Sequence, residues 1–503
     1  MSVVADAQVT GKLLDPQALG HLRAAIRQPA YPVQVSRIGV VHFGPGAFHR
    51  AHQAWVFDDV LAHDFDWAIS AVSLKTTRTY DALEPQHGLY SVAVQDEPRQ
   101  LRVIGALREL LVAPQDPARV LARMTSKHTR VVTATVTPQG YCLGADGRLD
   151  LSHPDIRHDI AQPQAPTSLV GFLAEALRRR RAESTKPFTV VSCDEMPDNG
   201  RRLMRAVVDL AMAQKQHDLA RWVVGECAFP CTMIDCIVPA TDDALRQHVA
   251  TTLGYRDRWP VQREAYAQWV MEDRFCNRVP DWASVGVTLT RDVAGHERVR
   301  AKLLHGAQSA IAYIGLLCGH ETVGEAMADS RMVALIDRLL RNDFAPTMAA
   351  VPPELNFDAY ATTLVKRLRN PVLRHPLADI AADGTVKLPT HILAVLIERL
   401  AQQEGIDRLC VPLAAWMHTL RRAVRDGVPV HDPLAATLME CAAHCTGHAA
   451  SDLPEFLALD MLFPIWLSTN PRFVEPLSRA YDRLAQAGEA SADAVHGALA
   501  GIV

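Results

Sequence analysis

The segment SRIGVVHFG (36–44) is a β-branched, apolar run that ends on Gly44-Pro45-Gly46 and passes directly into an amphipathic stretch, 48–61. A buried strand turning on glycine into a helix leaves few folds open, because the helix must then lie back against a sheet. The pattern recurs. WAISAVSL (67–74), RVVTATVT (130–137) and FTVVSCD (188–194) read as further buried strands, and 167–182 reads as a helix of about four turns between the last two. Strand, helix, strand at this spacing predicts an α/β fold with a Rossmann-type parallel sheet. An irregular part with short strands such as SVGVTL (284–289) follows over 222–292.

From about residue 297 the period changes. Apolar residues recur at helical spacing through Leu303, Leu304, Ala307, Ala310 and Ile311, and prolines at 352, 353, 371 and 389 punctuate the helices. The chain therefore divides into a Rossmann-type dinucleotide-binding domain, 1–290, and a mostly α-helical C-terminal domain, 291–503. A hydrophobic share of 49% against 21% charged residues is enough for two such cores and excludes disorder as the main state. Lys+Arg 52 against Asp+Glu 56 leaves a charge of -4, which argues against a nucleic-acid partner. No run approaches the roughly 18 apolar residues of a membrane span. The N-terminus carries no basic, apolar leader, and the ten cysteines have no framework spacing, so a cytoplasmic protein with reduced, buried thiols is expected. The expected assembly is a monomer or small homo-oligomer.

The glycine turn carries the cofactor expectation. Gly44 permits the tight turn, Gly46 lets a pyrophosphate approach the backbone, and Ala47 and Phe48 open the helix whose first amides face it. The third glycine of the usual fingerprint is His49, and a purely structural turn is the plain alternative. At the end of the second strand an acid would bind the ribose of NAD. The sequence offers Lys75 and Arg78 and no acid before Asp81, which tilts toward the 2′-phosphate of NADP. Ordinary solvated charges are the alternative there.

IGVVHFGPGAFHRAHQAWVFDDVL (38–61) resembles the opening of the polyol-specific long-chain dehydrogenases, which include mannitol 2-dehydrogenases and the fructuronate and tagaturonate reductases. Val136-Thr137-Pro138-Gln139-Gly140-Tyr141 is similar to that family's T-x-x-G-Y. Ser192 to Gly200 is similar to its S-C-D-N-x-P-x-N-G, and Asp383-Gly384-Thr385-Val386-Lys387-Leu388-Pro389 to its D-G-S-x-K-x-P. The resemblance spans about 35–490. It implies a Rossmann-type domain, a helical domain with the active site between them, and metal-independent hydride transfer between NAD or NADP and a polyol, keto-sugar or sugar acid. It also implies cofactor contact at Thr137 and substrate contact at Asp235 and Lys387.

The same resemblance locates the departures. The family's catalytic helix reads K-x-x-x-x-N-x-x-H; here those positions are Arg300, His305 and Gln308, and the asparagine of S-C-D-N is Glu195. Arginine keeps its proton at neutral pH and is no general base. Lys302, about 200° around a straight helix from Arg300, faces the other way. Three readings stand open. His305 is the acid/base while Arg300 and Gln308 hold the oxygen; or Glu195 is the base and Arg300 orients it or a substrate carboxylate; or the protein binds nucleotide or sugar without turnover. Cys441, His444, Cys445 and His448 fall at i, i+3, i+4, i+7, a spacing compatible with zinc but better read as buried cysteines on an apolar helix face. The resemblance implies that His49, Arg50 and His52, just beyond the turn, pack near the cofactor or the domain seam; a helix surface cluster is the alternative.

Overall fold

Strands that alternate Val41 and Phe43 with Val40 and His42, all wholly buried, need cover on both faces. In the computed structural model, which describes residues 11–96, 99–348, 352–353, 355–372, 374–486 and 492–501, they have it. The chain parts into two compact units, Met1–Ala294 and Gly295–Val503.

Among its described residues the first unit holds eleven strands: β1 (Ile38–Phe43), β2 (Ala68–Ser73), β3 (Tyr90–Gln95), β4 (Gln100–Ile104), β5 (Leu107–Val112), β6 (Val131–Ala134), β7 (Thr189–Ser192), β8 (Thr232–Asp235), β9 (Val261–Glu264), β10 (Gln268–Glu272) and β11 (Val287–Thr290). Five of them form an all-parallel sheet in the order β5-β2-β1-β6-β7. Val41, Phe43, Val132, Ala134 and Val190 pack beneath Phe172, Leu173 and Leu177 of the helix Leu169–Ala182. Val40, Ile69, Ala71 and Val131 form the opposite face with Phe57, Trp269 and Trp282. Two three-stranded sheets, β11-β10-β8 and β4-β3-β9, complete the unit.

The four strands expected from sequence are present with trimmed ends. β5, at the sheet edge, is the strand of this sheet that the pattern concealed: Arg108 and Glu109 interrupt LRELLV, and Arg108 to Leu110 are only half-buried. The helix expected over 48–61 is two, Ala47–Ala51 and Gln53–Val60. The chain bends at His52 (φ -123°, ψ -80°), amid His49, Arg50, His52 and Gln53, all essentially buried. The apolar period runs on through the bend, so the sequence gives no sign of it. The strand expected over 284–289 begins only at Val287, after a 3₁₀ turn at Ala283–Val285 and a left-handed Gly286.

The second unit is built of helices around one core, with Asp407–Asp426 packed against Gly306–Leu317 and Pro471–Gln486. Among its described residues three segments are π-helical: Ala301–His305, Leu339–Phe344 and Pro389–Leu393. The zinc-like spacing does not lie on one helix. That helix is Ala435–Ala443, so His444, Cys445 and His448 are already beyond its end. Cys441 and Cys445 are half-buried rather than buried, and all ten cysteines are free. No helix among the described residues is long and apolar enough to cross a membrane.

Candidate active site

The chain runs from β1 outward to β2 and β5, then returns to add β6 and β7 on the other side of β1. The carboxyl ends of β1 and β6 therefore form a topological switch point, where an open parallel sheet leaves a crevice. A cavity of about 510 Å³ opens there, in the size range of small-molecule sites. Its walls come from the segments after β1 (Gly44, Pro45, Gly46), after β2 (Ser73 to Thr76, Arg78, Thr79) and after β6 (Thr135 to Thr137).

The glycine turn is held from below. Gly44 has φ +89°, and a Cβ on it would lie 2.1 Å from the Thr135 carbonyl oxygen. The Thr135 hydroxyl donates to the Gly44 carbonyl at 2.7 Å, and His42 Nε2 donates to the same carbonyl at 3.1 Å. That bond fixes the tautomer, leaving Nδ1 to accept from Thr133 Oγ1 at 2.7 Å. Burial drives the His42 pKa down to about 3, so the ring stays neutral. Gly46 is different: a Cβ there meets nothing nearer than the Gly44 oxygen at 3.9 Å. Its outer side is open, which is what close approach of a pyrophosphate requires.

Gly44, Gly46, Lys75, Arg78 and Thr137 all line this cavity; Ala47 and Phe48 do not. Phe48 instead stacks on His52, with ring centroids 5.9 Å apart. His49 is wholly buried and stacked on His42 at 3.3 Å, so the histidines after the turn are interior groups rather than a helix surface. Thr137 stands at φ +67°, a conformation that a β-branched residue adopts only under constraint. The constraint is Asp194. Its carboxylate accepts the Val136 and Thr137 amides at 2.9 Å each and the Tyr141 hydroxyl at 2.7 Å. Burial raises the Asp194 pKa, against the pull of these hydrogen bonds. Glu195, the next residue, is exposed at the carboxyl edge of β7. Asp235 ends β8 and is buried. Asn199 ties the two strands: its Nδ2 donates to the Thr232 carbonyl and its Oδ1 accepts the Thr232 amide.

Cys142, His153 and Asp155 also line the cavity, with one ligand atom from each within 4.8 Å of the others. This donor set fits a metal poorly. Burial holds the Cys142 thiol up at about 11, and His153 Nδ1 already accepts the Asp155 amide as a helix cap.

The remaining candidate residues belong to the second unit. Arg300 ends the helix Val293–Arg300, and the π-turn Ala301–His305 follows. On a straight α-helix Arg300 and His305 would stand about 140° apart. A π-turn closes i to i+5, which narrows that offset, with Gln308 a turn beyond. The turn is tightly packed: a Cβ on Gly306 would lie 2.9 Å from Phe344 Cε2 and 3.0 Å from the His391 carbonyl. Phe344 and His391 belong to the other two π-turns, so all three meet here.

His391, which sequence reasoning missed, has its ring centroid 5.2 Å from that of His305, and its Nδ1 lies 2.9 Å from the Ser309 hydroxyl. Burial, reinforced by His305 and Lys387, lowers its pKa to about 3. Its signal in the sequence was its place four residues after Lys387, one helical turn on. Lys387 Nζ donates to the Ile380 carbonyl at 3.0 Å. Lys302 is engaged elsewhere: its ammonium lies 2.7 and 2.8 Å from the Glu398 carboxylate oxygens and 3.1 Å from the Thr347 carbonyl.

The family described as the mannitol dehydrogenase Rossmann domain matches residues 38–284, and the mannitol dehydrogenase C-terminal domain matches residues 292–485. A D-mannonate oxidoreductase of Escherichia coli is 37% identical over 458 residues, 89% of this chain and 93% of that protein. The Pseudomonas fluorescens mannitol 2-dehydrogenase, solved as a ternary complex with NAD and D-mannitol, is 31% identical with a TM-score of 0.76, covering 97% of this chain and 99% of that one. A substrate-free D-sorbitol dehydrogenase is 27% identical with a TM-score of 0.87 at the same coverage.

Proposed function

This chain belongs to the mannitol dehydrogenase family, and from that premise we propose that it moves a hydride between NAD or NADP and the alcohol or carbonyl carbon of a polyol, keto-sugar or sugar acid. The observation that carries the cofactor reading is the switch-point cavity, where open space over Gly46 meets the ends of β1, β2 and β6. The dinucleotide, when bound, supplies or accepts the hydride. Gly44 and Gly46 present backbone to its pyrophosphate, and Lys75 and Arg78 stand where an acid would repel a 2′-phosphate, so NADP is favoured over NAD.

The reacting oxygen is assigned to the group Arg300, His305 and Gln308, which flank or end the π-turn. A histidine ordinarily titrates near neutral pH and can move the alcohol proton; an arginine cannot. His305 is therefore the acid/base, with the Gln308 amide holding the oxygen. Arg300 offers a planar fork that pairs with a carboxylate through two hydrogen bonds, which favours a sugar acid as substrate. The relative that acts on D-mannonate points the same way. Asp235 and Lys387 are the further substrate contacts. Glu195 is the competing base, because it follows directly on Asp194, which positions the cavity residue Thr137. No observation on either unit favours binding without turnover.

The test is turnover of D-mannonate and D-mannitol, followed at the reduced-nicotinamide absorbance with both cofactors. D-Mannonate should give the higher kcat/KM. His305→Asn should lower kcat by about 10²–10⁴ while the dinucleotide Kd stays unchanged, and Glu195→Gln should be mild. The reverse ranking transfers the base to Glu195. Nucleotide binding with no turnover of any polyol, keto-sugar or sugar acid would leave the non-catalytic reading.

A further inference from the structure

Arg78 is an exposed residue with five N–H donors, and its guanidinium makes no hydrogen bond or ion pair among the described residues. Its one described contact is aromatic. Its Cζ lies 4.7 Å from the ring centroid of Trp259, which also lines the dinucleotide cavity. Trp259 lies far along the chain, just before β9, and its main chain is pinned at both polar groups. Its amide donates to Asp257 Oδ1 at 3.0 Å, and its carbonyl accepts from Arg50 Nη1 at 2.6 Å. Asp257 is itself buried and fixed by the Ser91 amide and hydroxyl, both at 2.6 Å, and by Gln86 Nε2 at 3.0 Å. Arg50 is wholly buried, with its Cζ 4.5 Å from the same indole, and its Nε reaches the Gly46 carbonyl at 3.3 Å. The indole is thus part of the rigid frame beneath the glycine turn, whereas Arg78 has only the indole to rest on.

We propose that Trp259 is the positioning residue for Arg78: its fixed indole holds the guanidinium at the cavity wall with its donors uncommitted, and so sets the preference for a dinucleotide bearing a 2′-phosphate. The inference rests on the NADP reading above. A long, exposed arginine loses rotamer freedom when it grips a phosphate, and a side chain already held by a cation–π contact loses less. Contact with the ring commits none of its N–H donors, which stay free for phosphate oxygens. NAD, which has a hydroxyl at that position, gains nothing from the arrangement.

Calorimetric titration of the full-length protein with NADP+ and NAD+ separates the possibilities. Trp259→Leu should weaken NADP+ binding about two- to fivefold more than it weakens NAD+ binding, the range of an exposed cation–π contact. Arg78→Ala should weaken NADP+ by about tenfold or more, and Trp259→Leu should add nothing in that background. Tyr and Phe at 259 should retain NADP+ preference in the order Trp, Tyr, Phe, a ranking that holds the test even where Trp259→Leu fails to fold. Equal weakening of both cofactors by Trp259→Leu overturns the proposal, as does additivity with Arg78→Ala. A parent that prefers NADP+ and loses this through Arg78→Ala, but not through any change at 259, overturns the positioning role alone. A parent that binds NAD+ as tightly as NADP+, with Arg78→Ala silent, overturns the cofactor reading and the positioning role together.

Discussion

The switch-point cavity of the first unit and the π-turn of the second are built from different materials. The cavity is shaped by main chain: a glycine at φ +89° under a carbonyl, an open glycine beside it, and a threonine held at positive φ by a carboxylate. The π-turn positions side chains, and Arg300, His305 and Gln308 stand where the resembling family carries other residues. Main-chain sites tolerate few substitutions, because the backbone path itself is the site. Side-chain sites can change chemistry while the fold persists, since Gly306, Phe344 and His391 keep the turn packed regardless of which residues project from it.

Alanine at Gly44 is the harshest way to probe that difference. The positive φ and the 2.1 Å approach to the Thr135 carbonyl should together destabilise the protein by at least about 3 kcal/mol, read as a lower Tm, with dinucleotide binding lost. Gly46→Asp should fold with nearly the parent Tm, because its Cβ enters open space, yet reject the dinucleotide through charge. A Gly44→Ala variant as stable as the parent would break the main-chain account of the cavity.

Acid should strain both units, the first more. His42 and His52 are lowered to about 3 and His49 well below its usual value in the first unit; His391 is lowered to about 3 and His418 to about 4 in the second. Burial is the leading cause in each. Between about pH 6.5 and 3 the unfolded chain binds protons that the folded chain refuses, so stability is whole above 6.5 and declines as pH falls through that window. Urea midpoints at pH 7, 5 and 4 should fall steadily, and His391→Gln should flatten the dependence. Midpoints that do not move between pH 7 and 4 would contradict the buried, neutral histidines.

The smallest effect concerns Lys302. With its ammonium on Glu398 in a partly exposed pair, Lys302→Met should cost about 1 kcal/mol and leave kcat within a few-fold of the parent. A stable variant with turnover abolished would make Lys302 the acid/base and remove His305 from that role.

Much of this was legible in the sequence because it depends on local chemistry. β1, β2, β6 and β7 are apolar, β-branched runs bounded by turn residues, and burial on both faces leaves that pattern uninterrupted. β5 escaped because an edge strand tolerates Arg108 and Glu109. The bend at His52 and the π-turn at Ala301–His305 escaped because neither alters the spacing of apolar residues; each changes only the angle at which the same residues project. The straight-helix geometry that set Arg300 and His305 about 140° apart fails there for that reason.

Two features were written in the residues alone: the switch from strand–helix alternation to helix alone, and the glycine turn between β1 and its helix. These are properties of short windows, written in period and residue type. Folding was needed to show that Asp194 holds Thr137 in the cavity wall, that Glu398 takes up Lys302, that His391 lies beside His305, and that Arg78 lies over Trp259. Each joins side chains from distant segments, and no local pattern encodes the backbone path that brings two such segments within a few ångströms.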